Sequence, residues 1–154
     1  MASKSADGLR QLFSDIVRLE IELWDAVDRR LRETPGISMG DFDVMQIVAR
    51  TPSCRVYDIA EQLSVTVGGI SKAVDRLERR GHVARRSNPE DRRSSLIELT
   101  SDGAQALAGA GSVVDDELEL RLGSVLSADS LTELGSLIAR LRSGLAKPPG
   151  ADRS

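Results

Sequence analysis

Residues 63–100 read LSVTVGGISKAVDRLERRGHVARRSNPEDRRSSLIELT, and this stretch decides the fold. Thr66 predicts a helix N-terminus, because its hydroxyl can accept a free backbone N–H of the first turn. Gly81 predicts the end of the same helix, since glycine readily adopts the left-handed conformation needed just past a helix. The apolar residues between them that recur at helical spacing are Ile70, Val74 and Leu77.

After Gly81 the pattern changes from helical to strand-like. Residues 83–86 and Ser95–Leu99 suit two short strands, and the turn-rich segment between them contains Asn88 followed by Pro89. The sequence therefore predicts a β-hairpin whose tip carries Arg92 and Arg93.

The polar face of the predicted helix is cationic, and its first turn is unusual. Gly68 and Gly69 each cost a helix roughly 1 kcal/mol relative to alanine. Close approach of another surface is one physical reason to accept that cost. The polar residues of this face are Ser71, Lys72, Asp75, Arg76 and Arg79.

Positive charge is concentrated in this region. From Lys72 to Arg93 there are eight cationic and four acidic residues, a net charge of +4, whereas the whole chain carries −3. A charged helix face on its own is usually only solvated. In series with an upstream helix and an arginine-tipped hairpin it favours B-DNA, whose major groove admits a helix and whose minor groove attracts arginine.

Composition narrows the class of protein. The 154 residues suffice for one domain with a core, and aromatic residues make up only 3%, which disfavours stacking platforms for single strands. The sequence has no membrane-length apolar run, and its polar start lacks the apolar region of a signal peptide. Its single cysteine rules out an internal disulfide. We therefore expect a cytoplasmic protein without membrane partners.

Apolar periodicity predicts the remaining elements. Residues 1–7 are expected to be disordered, and a long helix follows from residue 8 to about 34. Ser38 or Asp41 can begin the next helix, and a short helix over 57–63 completes a helix-turn-helix. Thr100 begins a fifth helix that is expected to reach about Val125. The sixth runs from Ser127 towards 146, and the tail 147–154 is expected to be disordered.

The fold class is therefore mainly α with a small β-hairpin wing: six helices, a winged helix-turn-helix, and a dimer formed by the terminal helices. The helices over 8–34 and 101–146 carry more apolar surface than a small lobe over 36–100 needs. Pairing across a twofold axis would cover it and would place two DNA-reading helices about one turn of DNA apart. A monomer that covers its own core is the alternative.

The segment VDRLERRGHVARRSNPEDRRSSLIELTSDG, residues 74–103, resembles the MarR family of bacterial transcription regulators. The resemblance covers roughly residues 8 to 146, as one MarR-like domain. It implies a homodimeric winged helix-turn-helix protein that binds a palindromic operator in double-stranded DNA. Such a regulator is usually a repressor and is often released from DNA by a small-molecule effector.

The resemblance also implies site residues. Arg93 would enter the minor groove, and Asp91 would hold the wing by pairing with Arg76 or Arg79. The full set for DNA binding is Ser38, Arg55, Ser64, Thr66, Gly68, Gly69, Ser71, Lys72 and Arg76, with Arg86, Asp91, Arg92 and Arg93 in the wing. In this family an effector pocket usually lies between the dimer helices and the DNA-binding lobe, and we expect Arg18, Trp24, Met39 and Met45 to line it; plain core or surface roles are the alternative.

Other chemistry has little support in the sequence. One histidine, His82, and one cysteine, Cys54, cannot build the familiar zinc sites, so no metal or other cofactor is expected. The sequence contains no phosphate-binding glycine loop and no nucleophile paired with a histidine, so an enzyme is not expected. Two alternatives stay open: a redox-responsive regulator acting through Cys54, and a winged-helix module that binds protein and not DNA.

Overall fold

The computed structural model describes residues 2–146, with side chains for residues 6–145. Within this part of the chain it has the six predicted helices and the predicted hairpin, which confirms the fold class. Met1 and the predicted tail 147–154 lie outside the described residues. The elements are α1 (Ala2–Glu33), α2 (Met39–Arg50), α3 (Val56–Leu63), α4 (Val67–Arg79), β1 (Val83–Ser87), β2 (Ser95–Leu99), α5 (Ser101–Leu118), a π-helical turn (Glu119–Gly123) and α6 (Ala128–Ala146).

The chain divides between Asp115 and Asp116 into two compact units, whereas the sequence analysis treated residues 8–146 as one domain. In the first unit, the core forms where α2, α3 and α4 meet the hairpin. It is almost entirely aliphatic, as the scarcity of aromatic residues requires. Its fully buried members include Met45, Ile47, Ile59, Val74, Leu77, Val83 and Ile97.

Both ends of α4 form as the sequence predicts. The Thr66 hydroxyl accepts the backbone N–H of Gly69 at 3.2 Å. Gly81 has φ +75°, its N–H donates to the Glu78 carbonyl, and the N–H of the next residue donates to the Leu77 carbonyl. This paired arrangement satisfies carbonyls that the helix end leaves free and stops the helix there.

The hairpin pairs Val83 with Leu99 and Ser87 with Ser95 in antiparallel register. The Ile97 N–H also donates to the Cys54 carbonyl at 2.7 Å, so the segment before α3 lies along the outer edge of β2. The root of the wing is thus hydrogen-bonded into the lobe.

Two helix boundaries differ from the sequence analysis, and a third, which the sequence left open between two residues, is decided. The first helix begins at Ala2 and not at residue 8, since nothing before Gly8 breaks a helix and Asp7 pairs with Arg10 one turn later. Ser38, and not Asp41, caps α2, because its hydroxyl accepts the Asp41 N–H. The helix α5 ends at Leu118 and not near Val125, giving way to the π-helical turn.

No helix among residues 2–146 combines the length and hydropathy needed to span a bilayer.

Gly103, in the first turn of α5, is required by close packing. A Cβ at this position would overlap the carbonyl group of His82. Thr100 brings the two segments together, since its hydroxyl donates to the Gly81 carbonyl at 2.5 Å and accepts the Gly103 N–H at 2.9 Å. The start of α5 therefore lies directly on the chain that links α4 to the wing.

Replacement of Gly103 by alanine is expected to destabilise the protein by about 1–3 kcal/mol, the usual cost of forcing an extra carbon into a packed site. The matched control is Gly109→Ala in the same helix, where a Cβ meets nothing within 4 Å and stability should rise by up to about 1 kcal/mol. Urea unfolding measures both variants. A Gly103→Ala protein as stable as the wild type would contradict the packing argument.

Candidate nucleic-acid interface

The helix α4 turns one face into the core and leaves the other open. Ile70 and Leu77 are buried, whereas Lys72, at helical spacing from Gly68, is exposed. Among the described residues Lys72 has no ion-pair partner. Most of the other residues predicted to contact DNA from α4 and its N-cap are also exposed, namely Thr66, Gly68, Gly69 and Arg76. Ser71 is half-buried.

Arg76 has an internal partner that the sequence analysis did not identify. Its guanidinium donates to the carboxylate of Asp41 at 2.6 Å. The Asp41 side chain is only 5% exposed, so the ion pair with Arg76 compensates for the hydration that this carboxylate loses on burial. The pair ties α4 to the first turn of α2, and the Arg76 side chain still keeps about half of its surface open.

The tip of the wing is held by hydrogen bonds within the turn itself. Asn88 is buried; its amide donates to the Ser94 hydroxyl at 2.8 Å, and its side-chain oxygen accepts the Glu90 N–H at 3.0 Å. The Asp91 carboxylate accepts the N–H of Arg93 at 3.0 Å. A polar turn of this kind fixes the backbone where neither strand can.

The predicted ion pair of Asp91 with Arg76 or Arg79 is wrong. Arg76 binds Asp41, the Arg79 guanidinium donates to the Asp75 carbonyl, and Asp91 binds backbone next to it. The carboxylate is adjacent to its own turn and needs no long-range partner. Asp91 therefore shapes the tip of the wing and does not attach the wing to α4.

Arg85 attaches the wing to α4. From β1 its guanidinium reaches Asp75 at 2.6 Å and also pairs with Glu78, both on the exposed side of α4. The Arg85 side chain is 28% exposed, whereas that of the neighbouring Arg86 is 67% exposed. In the sequence, Arg85 is distinguished only as one of the eight cations between Lys72 and Arg93. The signal that could have identified it was Asp75 and Glu78, two acids one helical turn apart in an otherwise basic segment.

The remaining cations of the wing tip are open. Arg92 and Arg93 are exposed, and neither has an ion-pair partner among the described residues. Arg86 is also exposed but donates to Glu98 on β2 at 3.2 Å. The two arginines at the tip are thus the ones available to an outside anion.

The three predicted phosphate contacts outside α4 lie at helix ends. The Ser38 hydroxyl is engaged in capping α2, and Ser64 is exposed at the left-handed residue that ends α3. Arg55 forms a two-pronged pair with Asp58, at 2.9 and 3.0 Å. Hydrogen bonds from Arg55 lower the pKa of the Asp58 carboxyl, so this pair is ionised at neutral pH.

The structure does not assemble the predicted effector pocket. Met45 is fully buried in the lobe core, whereas Arg18 and Trp24 are exposed on α1 and Met39 is half-buried at the start of α2. A shallow cavity of about 230 Å³, open to solvent, lies between α2 and α5. Its lining residues are Phe42, Gln46, Ala49, Arg50, Leu107 and Gly111.

Cys54 is unsuited to redox sensing. Its side chain is 1% exposed, and burial raises the pKa of the thiol to about 11, with Asp58 adding to the effect and Arg55 opposing it. The thiolate is the reactive form, so at neutral pH this thiol is both covered and protonated. Both features oppose the redox alternative.

Comparisons with known proteins agree on one family. Residues 37–95 match the model of the MarR family. The multiple antibiotic resistance protein MarR of Escherichia coli K12 is 29% identical over 136 residues, covering 84% of this chain and 94% of that protein. A Thauera aromatica protein, named as a transcriptional regulatory protein for the hcr operon, is 30% identical over 117 residues. That match covers 74% of this chain and 66%, just under two thirds, of the Thauera protein.

Among solved structures, the transcriptional repressor CouR bound to a 23-mer DNA duplex has a TM-score of 0.76 at 26% identity. The match covers 83% of this chain and 89% of CouR. The fold described above is therefore one that a DNA-bound repressor also adopts.

A thiol reagent should modify Cys54 at least about 100-fold more slowly in the native protein than in the unfolded one at pH 7. The factor follows from a pKa of about 11 against an ordinary value near 8.5. Absorbance of the released thiolate of a disulfide reagent, with and without denaturant, measures the two rates. Native and denatured rates within tenfold of each other would restore the redox hypothesis.

Proposed function

This chain belongs to the MarR family, and we propose that it is a transcriptional regulator that binds double-stranded DNA as a homodimer at a palindromic operator. The proposal includes repression, release by a small-molecule effector, and, for a bacterial protein, a cytoplasmic location. The observation that carries it is the open cationic set Lys72, Arg92 and Arg93 in a segment of net charge +4. No catalytic activity is proposed.

The exposed face of α4 suits the major groove. Its buried stripe fixes the rotation of the helix, so Gly68, Lys72 and Arg76 face away from the core. Lysine and arginine can contact guanine edges or phosphates there. Ser71 is half-buried beside them, and its short side chain offers a hydroxyl to DNA that lies close to the helix backbone.

The wing suits the adjacent minor groove. Its tip is narrow and shaped by its own hydrogen bonds, and Arg93 extends from it without an internal partner among the described residues. A narrow minor groove concentrates negative potential, which favours an inserted guanidinium. Arg92 beside it would meet a phosphate.

The homodimer is supported by apolar surface that each unit leaves open. On α1 the residues Leu9, Leu12, Phe13, Ile16 and Leu19 recur at helical spacing and are 47–69% exposed. On α6 the residues Leu137, Ile138, Leu141 and Leu145 are 46–85% exposed. Continuous apolar stripes of this size on monomers usually mark an interface.

The cavity between α2 and α5 is the proposed effector site. Phe42 and Leu107 supply apolar walls, and Arg50 is a cation at its edge. This lining fits a small aromatic carboxylate. A ligand bound between α2 and α5 would change the position of α4, the helix proposed to read the DNA, because α4 contacts α2 directly.

Replacement of Arg93 by alanine should weaken operator binding by about tenfold or more while the dimer persists, because one minor-groove contact per subunit is lost. The salt dependence should also become shallower by about one counterion per subunit. Gel shift at several salt concentrations measures both, on an operator first selected from random duplexes. Arg29→Ala on α1 is the control, because this arginine is exposed, lies off the apolar stripe of α1 and is outside the proposed DNA interface.

Equal affinity of Arg93→Ala and wild type would remove the wing from the interface. If the wild type selects no duplex at all, the protein-binding alternative takes the place of the DNA-binding proposal.

Replacement of Phe13 by aspartate should convert the dimer to a monomer, because a charge would be buried without a partner at the interface. Sedimentation velocity measures the change, and operator affinity should fall with it. Gln11→Glu adds the same charge on α1 off the apolar stripe and should remain a dimer. A Phe13→Asp protein that sediments like the wild type would contradict the proposed interface.

Benzoate, as a probe of the cavity, should lower operator affinity of the wild type and leave Gly111→Leu unaffected. Gly111 lines the cavity, and a Cβ added there would meet no atom within 4 Å. Leucine would therefore fill the space. Gly109→Leu, outside the cavity, should respond like the wild type. If all three proteins respond equally, the effector binds elsewhere.

A further inference from the structure

Val67 is an apolar side chain at the first position of the reading helix α4, and it is 47% exposed. Val65, two residues earlier, is 50% exposed, but it holds a position where apolar residues are common. It directly precedes the N-cap Thr66, where an apolar residue commonly packs on the fourth helical residue, here Ile70. Val67 has no such explanation.

Gly68, the next residue, is not required by the fold. It lies in the helix with φ outside the positive region, and a Cβ there would meet nothing within 4 Å. Gly69 differs, since a Cβ there would lie 3.2 Å from the Thr66 hydroxyl that caps the helix. Glycine weakens a helix relative to alanine, so nothing within the subunit accounts for Gly68.

An exposed valine alone is ordinary on a protein surface. Here it adjoins a glycine that the subunit does not need, one turn before Lys72, on the face proposed to enter the major groove. A missing side chain allows a base edge to approach the helix backbone, and the neighbouring valine then offers methyl groups at that edge.

We propose that Val67 and Gly68 together recognise the C5-methyl group of a thymine in each half of the operator. Thymine alone among the four bases presents a methyl group in the major groove, and apolar side chains contact it. Gly68 admits the base edge, and Val67 packs on the methyl. This inference rests on the proposed DNA binding and adds the base that the first turn of α4 reads.

The test replaces single thymines of the selected operator by uracil, which removes only the methyl group. Wild type should lose about fourfold in affinity for each half-site at one thymine position, the equivalent of one buried methyl. Val67→Ala should bind the thymine and uracil duplexes at that position equally. Uracil at thymines outside the two half-sites is the DNA control.

Gly68→Ala gives an independent reading. It should raise the melting temperature by about 2–4 °C yet lower operator affinity at least tenfold, because the added methyl stabilises the helix and blocks the base edge. Gly40→Ala is the matched control, since Gly40 holds the same second position of α2 and is also open to a Cβ. It should raise stability with no change in affinity.

Three outcomes overturn the inference. Equal affinity of wild type for thymine and uracil at every position does so, as does a thymine preference that Val67→Ala retains. Wild-type affinity in Gly68→Ala also does so. In each case the protein still binds its operator, so the proposed function survives; absence of any selected duplex would instead overturn both.

Discussion

The ion pairs of Arg85 with Asp75 and Glu78 are the constraint on which the proposed interface depends. They join β1 to the exposed side of α4, so the two elements that would read DNA are held at one separation. A helix in the major groove and an arginine in the adjacent minor groove can engage together only if that separation matches the duplex. The Arg85 side chain is only 28% exposed and binds two acids at once, so these pairs form a small network, which holds the wing more firmly than a single surface ion pair would.

Several charges that suggest DNA binding in the sequence are used inside the protein. Arg76 pairs with the buried Asp41, Arg85 pairs with Asp75 and Glu78 of α4, and Arg86 pairs with Glu98 across the hairpin. By contrast, the charges of Lys72, Arg92 and Arg93 have no ion-pair partner among the described residues and are available to DNA. The net charge of a segment therefore overstates the number of groups that can contact phosphate, and the paired groups position the open ones.

Local features of the chain were predictable, and long-range ones were not. Thr66, Gly81 and the turn at Asn88 act on neighbouring backbone, so the ends of α4 and the hairpin could be read from sequence. The Asp41–Arg76 pair joins residues 35 apart, and no periodicity encodes it. The effector pocket could not be predicted for the same reason. The lining of the observed cavity depends on where α2 and α5 cross, and the sequence does not reveal that crossing. Gly103 ends the segment that resembles the family. The physical reason for a glycine there, its close contact with the His82 carbonyl group, is visible only in the structure.

The most direct test of this account removes the bridge from its acidic side. The double variant Asp75→Asn with Glu78→Gln deletes two negative charges from the proposed DNA-binding face and keeps every side-chain shape. Simple electrostatics predicts tighter binding to DNA. Our account predicts the opposite: operator affinity should fall, because the wing loses its position and with it the contacts of Arg92 and Arg93. Tighter operator binding by the double variant than by the wild type would contradict the account.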